Sequence, residues 1–439
     1  MGLFFGTDGI RGKINEDLTF EIAYKIGNAL SILTENPTIV IGSDTRISNT
    51  YLTLGVASGA MSGGAKVIDV GVLPTAGIAY VTKTIGADYG VVISASHNSA
   101  EYNGIKVFNK NGYKLSDKEE ERIERCFIRE KITVFPNVGK YIQDFTLAKL
   151  YKSYLIDASK FSFEGKTIVL DCAYGAAHRI APEVFRKLGA KVIAANCVDD
   201  GLRINDNCGA LYPENLIGRV FRYKADMGFA FDGDSDRLIA VDEKGQVIDG
   251  DMIIYSLAKY FKQKGKLKNN TVVGTSHTNV AIEEDLKKEG IELIRTDIGD
   301  KYVLAKLLEK NLSLGGEQSG HVIIKDLATT GDGILTAIIV ANMIVEQNLK
   351  MSEAFSIDLY PQSNKNVTVE DKFRIMNSEE LSKEIARYNA ELNGVGRIMI
   401  RASGTEPKIR IMVESKDKEI NEKIACNVVE LVKRIDSEV

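Results

Sequence analysis

"GKTIVLDCAYGAAHRIAPEVFRKLGAKVIAAN", residues 165–196, decides the fold. It opens on a short β-branched run, crosses a turn of small residues, continues at helical spacing, and closes on a second apolar run. Strand, helix and strand in so short a stretch predict a βαβ unit, whose helix carries the chain back so that both strands run parallel.

The pattern occurs before and after this block. "PTIVIGSD" (37–44) is followed by the helical spacing of "YLTLGVASGAMSGGA" (51–65) and by "KVIDVG" (66–71), and "NTVVGTSHTNVAIEEDLKKEGIELIRT" (270–296) repeats the order. The openings "TIVIGSD" (38–44), "TIVLDCA" (167–173) and "TVVGTSH" (271–277) align as like buried strands. Their spacing, on the order of 100 residues, points to a triplicated α/β unit. After Pro361 the texture changes. "NKNVTVEDKF" (364–373), "GVGRIMIRAS" (394–403) and "KIRIMVES" (408–415) alternate apolar and polar residues, as half-exposed antiparallel strands do, with helical patterns between and after them. The expected fold is α/β: three related α/β domains with mixed, mostly parallel sheets (1–150, 151–248, 249–361) and a C-terminal α+β domain (362–439).

Composition narrows the function. A chain of 439 residues exceeds one hydrophobic core, in keeping with several domains. The 56 basic and 60 acidic residues are well mixed, which gives no general attraction to nucleic acid or to an anionic membrane. The five scattered cysteines form no C-x-x-C pair, so reduced thiols in the cytoplasm are expected rather than disulfides or zinc. No apolar run approaches a membrane span, and "MGLFFGTDGIRG" does not read as a secretory signal.

Four stretches carry chemistry. In "FDGDSDR" (231–237), Asp232, Asp234 and Asp236 crowd the end of an apolar strand. Three carboxylates repel one another unless a cation joins them, and an all-oxygen donor set favours Mg²⁺ over Zn²⁺. An EF-hand is disfavoured because Arg237 stands where the calcium loop needs glycine. "VVISASHN" (91–98) brings small polar residues to a strand's carboxyl end, where open α/β sheets hold their sites, and offers Ser96 as a nucleophile beside His97. "GGEQSGH" (315–321) presents Glu317 and Ser319 on a glycine-flanked loop, a donor–acceptor mixture suited to sugar hydroxyls. "RASGTEPKIRI" (401–411) joins two guanidinium forks, Arg401 and Arg410, to a Ser403-Gly404-Thr405 turn, a phosphate-binding combination without any nucleotide motif.

Taken in order, from "FFGTDGIRG" (4–12) to "RASGTEPKIRIMVE" (401–414), these stretches resemble the α-D-phosphohexomutase family across essentially the whole chain. "FGTDGIRG", "DCAYGAA", "NDNCGALYPENL", "GGEQSGH" and "TTGDGI" look most like its bacterial phosphoglucosamine mutase branch. The resemblance implies four domains around a central cleft and an isomerase that moves a phosphoryl group between the 6- and 1-positions of glucosamine phosphate. Its expected partners are a hexosamine phosphate and a sugar 1,6-bisphosphate, with neither nucleic acid nor membrane, and a homodimer is an allowed assembly. By the same resemblance Ser96 carries the phosphoryl group. Asp232, Asp234 and Asp236 bind Mg²⁺, with an oxygen of phosphorylated Ser96 as a further ligand. Glu317, Ser319 and His321 face the sugar, and Arg401, Ser403, Gly404, Thr405 and Arg410 hold the non-reacting phosphate. Arg11, Lys106, Arg237 and His321 line the cleft, and Lys106, His97 and His321 are candidates for the general base. The sequence departs from the family pattern at Ser99 (commonly Pro), Lys301 (Arg in this branch) and His277. A phosphomannomutase or phosphoglucomutase with the same machinery is the alternative.

Overall fold

The computed structural model describes residues 4–6, 8–128, 134, 136–392, 396–403 and 407–437. The first sheet contains β1 (Ile10–Lys13), β2 (Thr38–Ser43), β3 (Lys66–Val72), β4 (Tyr89–Ile93), β5 (Tyr102–Asn109) and β6 (Lys140–Gln143) in the order β1-β5-β4-β2-β3-β6. The second contains β7 (Thr167–Asp171), β8 (Lys191–Ala195), β9 (Met227–Phe231), β10 (Leu238–Asp242) and β11 (Val247–Ile248), ordered β11-β10-β9-β7-β8. The third contains β12 (Thr271–Thr275), β13 (Glu292–Thr296), β14 (Leu314–Gly316) and β15 (Val322–Ile324), ordered β13-β12-β14-β15.

One plan underlies all three. Strands β2, β7 and β12 each pair in parallel with a neighbour on either side, β3 and β4, β8 and β9, β13 and β14. Then β4, β9 and β14 each turn back into an antiparallel partner, β5, β10 and β15. The three runs aligned in the sequence are therefore the middle parallel strands of three like sheets. Their central residues are apolar because both faces are covered. Ile39, Ile41, Val91 and Ile93 of the first sheet join one core with Ile26 and Val56 from the helices Phe20–Leu33 and Asn49–Ser62. The same topology puts the turn after β4, after β9 and after β14 in equivalent positions.

The chain divides into two compact units, Met1–His277 with Gly290–Ser356, and Thr278–Glu289 with Ile357–Val439. The second unit holds an antiparallel sheet of β16 (Gln362–Thr368), β17 (Gly396–Ala402) and β18 (Lys408–Ser415), ordered β16-β18-β17. Its apolar face packs on the helix Lys418–Ser437 through Ile409, Ile411, Val413, Val428 and Val432. The helix Val280–Lys288 belongs with this unit, although it sits in the third βαβ block of the sequence. Side-chain bonds hold it there: Val280 N–H donates to Glu414 (2.6 Å), and the Tyr360 hydroxyl donates to Glu284 (2.6 Å). No helix among the described residues is long and apolar enough to cross a membrane.

Candidate active site

The chemistry collects at the turns of the three equivalent hairpins. After β4 the backbone bends at Ser96, which is fully buried with φ of +54°. A non-glycine residue held there costs about 1–3 kcal/mol, and such strain concentrates at functional sites. The Ser96 hydroxyl donates to Asp232 Oδ2 (2.6 Å) and lies 3.4 Å from His97 Nδ1. The close approach depends on Gly233, where a Cβ would come within 2.5 Å of the Ser96 carbonyl oxygen.

The turn after β9 buries Asp232, Asp234 and Asp236 with carboxylate oxygens within 4.8 Å of one another. Each is placed by the surrounding polypeptide. Asp232 Oδ1 accepts the Arg237 N–H (3.1 Å). Asp234 Oδ2 accepts the Thr75 hydroxyl (2.6 Å) and Lys106 Nζ (2.7 Å), and Asp236 Oδ2 accepts Lys106 Nζ (3.2 Å). Asp234 Oδ1 and Asp236 Oδ1 are buried with no hydrogen-bond partner. Leaving two carboxylate oxygens desolvated and unpaired is costly, and an oxygen-seeking cation would satisfy both. The donor set therefore fits a hard divalent ion.

Lys106 is almost completely buried and also reaches Asp8 (3.0 Å). Burial pushes its pKa down, but Asp234, Asp8 and Asp236 outweigh that and hold it well above the usual lysine range, so Lys106 is a fixed cation. Burial raises the Asp236 carboxyl, yet Lys106 and His321 bring it well below normal. Asp232 goes the other way, pushed well up by burial and then by Asp236 and Asp234. Burial, followed by the charges of Arg237 and Arg11, drives His97 down to about 4, so its imidazole is neutral near pH 7. Arg11 donates to Asn98 Oδ1 (3.2 Å) and pairs with Asp8, while Arg237 Nε lies 4.0 Å from Asp236 Oδ1. The Ser96 hydroxyl thus meets a carboxylate cluster whose members Asp8, Asp234 and Asp236 are interleaved with the cations Lys106, Arg11 and Arg237.

The turn after β14 is stitched to the aspartate hairpin, because the Leu238 N–H donates to the Gly320 carbonyl (3.0 Å). Gly320 has φ of +93°, and a Cβ there would meet the Leu238 carbonyl at 2.3 Å. Glu317 accepts the Gly299 N–H (2.9 Å) and Ser319 is exposed. His321 is buried between Asp236 (3.6 Å) and Asp300 (3.5 Å), and its Nε2 accepts the Gly331 N–H (3.1 Å). The structure thus groups His321 with the aspartates.

The C-terminal unit holds its own cluster. Arg401 and Arg410 stand directly opposite in the antiparallel register of β17 and β18. The Arg401 guanidinium is pushed below its ordinary pKa by burial and then by Arg410. Like charges opposite one another destabilise a sheet, and a bound anion would reverse that effect. Ser403 is buried, and its carbonyl accepts Lys372 Nζ (2.6 Å). Gly404 and Thr405 lie outside the described residues.

Several partners were not evident from the sequence. Asp8 and Asp300, joined through Lys114, carry no distinct signal of their own in the sequence. Thr75 and Lys372 carry no local signal. Each matters through contacts with residues far along the chain. Lys301, the departure from the family pattern, is tied to Asp117 (3.1 Å).

Four domain profiles of the phosphoglucomutase/phosphomannomutase family match in order: α/β/α domain I at residues 2–133, domain II at 141–245, domain III at 249–360 and the C-terminal domain at 365–431. The phosphoglucosamine mutase of Carboxydothermus hydrogenoformans is 45% identical over 99% of this chain and 100% of its own length. That of Clostridioides difficile is 45% identical over 98% and 99%. Among solved structures, a phosphoglucomutase/phosphomannomutase family protein from Burkholderia thailandensis superposes with a TM-score of 0.83, covering 99% of this chain and 98% of that one at 23% identity.

Proposed function

The chain belongs to the phosphoglucomutase/phosphomannomutase family of phosphohexomutases, and from that premise we propose that it interconverts glucosamine 6-phosphate and glucosamine 1-phosphate in the cytoplasm. One observation carries the reading: a buried, strained serine hydroxyl donates directly into a buried aspartate triad that retains two unpartnered carboxylate oxygens.

In the resting enzyme Ser96 carries a phosphoryl group. The sugar's 1-hydroxyl oxygen attacks that phosphorus, the bond from phosphorus to Ser96 Oγ breaks, and Oγ regains a proton as the sugar hydroxyl loses one. The product is a 1,6-bisphosphate. After the sugar turns end for end, Ser96 Oγ attacks the 6-phosphoryl group and glucosamine 1-phosphate leaves. Arg401, Ser403, Gly404, Thr405 and Arg410 hold whichever phosphate is not reacting, and Glu317 and Ser319 accept the sugar in both orientations. Lys106, Arg237 and Arg11 stabilise charge spreading over the transferred group. Mg²⁺, held by Asp232, Asp234, Asp236 and a phosphoserine oxygen, would offset the phosphoryl charge.

The test is intact mass of the purified protein and of Ser96→Ala, alongside isomerisation of glucosamine, glucose and mannose 6-phosphates. The expected result is one phosphoryl group on wild type, none on the variant, fastest turnover of the glucosamine ester and loss of turnover in the variant. A preference for the mannose or glucose ester would overturn the substrate. Full activity of folded Ser96→Ala would overturn the mechanism.

A further inference from the structure

Arg46 ranks among the largest fully buried side chains of the described residues, and it lies outside the four chemical stretches. Its Nε donates to Asp44 Oδ2 (3.0 Å). One terminal nitrogen donates to the carbonyls of Ser99 and Tyr102, the latter at 2.9 Å, and the other to those of Asn98 (2.6 Å) and Ser96 (3.2 Å). All five N–H bonds of the guanidinium are thus engaged. Four of the five acceptors are backbone carbonyls, three in the turn that carries Ser96 and the fourth, Tyr102, at the start of β5. From the second α/β block, Asn205 Nδ2 donates to two of the same oxygens, Ser96 O (2.8 Å) and Asn98 O (3.0 Å). Asp44 completes the frame by accepting the Ser94 hydroxyl (2.5 Å), which itself accepts the Ser96 N–H (2.9 Å).

This frame accounts for how a serine is kept at positive φ. The Ser96 carbonyl on the buried cation fixes the peptide plane after Ser96, the Ser96 N–H on the Ser94 hydroxyl fixes the plane before it, and those planes aim its hydroxyl at Asp232. A lysine could supply the charge but not the fork that reaches four carbonyls at once.

We propose that Arg46 is a positioning residue for phosphoryl transfer, locking the Ser96 turn so that the serine oxygen stays in register with the aspartate triad. The proposal rests on Ser96 as the phosphoryl carrier. Arg46 acts through the turn's backbone and not on substrate.

The test uses full-length Arg46→Lys with Mg²⁺, charged with glucose 1,6-bisphosphate. The readouts are thermal unfolding, Ser96 phosphorylation by intact mass, and separate kcat and KM for glucosamine 6-phosphate. A misplaced nucleophile predicts a folded protein with KM within about threefold of wild type, kcat lower by about 100-fold, and Ser96 loading slowed in parallel. Folded Arg46→Lys with kcat within about threefold of wild type would overturn the proposal. So would a kcat loss that merely tracks the unfolded fraction. Should Arg46→Lys not fold, Asn205→Ala decides, because it removes two donors from the same carbonyls. About tenfold slower kcat at unchanged KM is expected, and unchanged kcat overturns the proposal. Failure of the underlying reading looks different: wild type itself would take up no phosphoryl group and Ser96→Ala would keep its turnover.

Discussion

The Ser96 hydroxyl donates to the Asp232 carboxylate at 2.6 Å, joining loops 136 positions apart. Asp232 is the carboxylate that burial and its two neighbours push toward neutrality, and a cation bound in the triad would favour its charged form. Chelation should abolish isomerisation, and added Mg²⁺ should restore it. Mg²⁺ at 100 times its Kd should stabilise the fold by about 2.7 kcal/mol in thermal unfolding. Asp232→Asn keeps an acceptor for Ser96 but removes the charge, so it should raise the Mg²⁺ concentration for half-maximal activity.

Arg401→Gln separates phosphate binding from folding. A charge-assisted hydrogen bond contributes about 1.5–3 kcal/mol, so KM for the sugar phosphate should rise about 10- to 150-fold. The melting temperature should stay level or rise, because the substitution relieves repulsion from Arg410 across the ladder. A large drop in melting temperature would show instead that Arg401 is structural.

Gly233→Ala tests the contact between the two hairpins. A methyl group there lies 2.5 Å from the Ser96 carbonyl oxygen, so the loops must part. Stability should fall by about 1–3 kcal/mol, with kcat falling at nearly constant KM.

Asp332 gives a pH signature. It caps the helix Gly333–Gln347 by accepting the Leu335 N–H (2.9 Å), and both its oxygens accept from the Tyr151 hydroxyl (2.9 Å). Burial nevertheless raises its pKa from 3.8 to about 6. The folded state therefore holds this proton more tightly than the unfolded state. Its contribution is fully present below pH 3.8 and is lost as pH rises through about 6, a total of roughly 3 kcal/mol. Asn also caps helices well, so Asp332→Asn should gain melting temperature relative to wild type between pH 4 and 7. A difference independent of pH would refute this assignment.

The hairpin turns were legible because their chemistry is local: Asp232, Asp234 and Asp236 fall within six consecutive residues with Arg237, and Arg401 to Arg410 span one strand pair. The repeated strands were legible for the same reason, since a strand covered on both faces writes its burial into consecutive residues. Thr75 was not, because an isolated threonine at the start of a helix becomes significant only once Asp234 is beside it. The helix Val280–Lys288 reads as part of the third block, and tertiary bonds such as those to Glu414 and Tyr360 place it with the C-terminal unit.

By itself, then, the sequence determined the elements, their triplication and the residue types available at each turn, all properties of neighbours along the chain. Tertiary structure alone decided that one lysine, Lys106, would stand among Asp8, Asp234 and Asp236, and that one arginine, Arg46, would hold four carbonyls between Ser96 and the first residue of β5. The reason is physical. Strand order sets which distant groups are desolvated together, and a buried charge acquires its role from those neighbours.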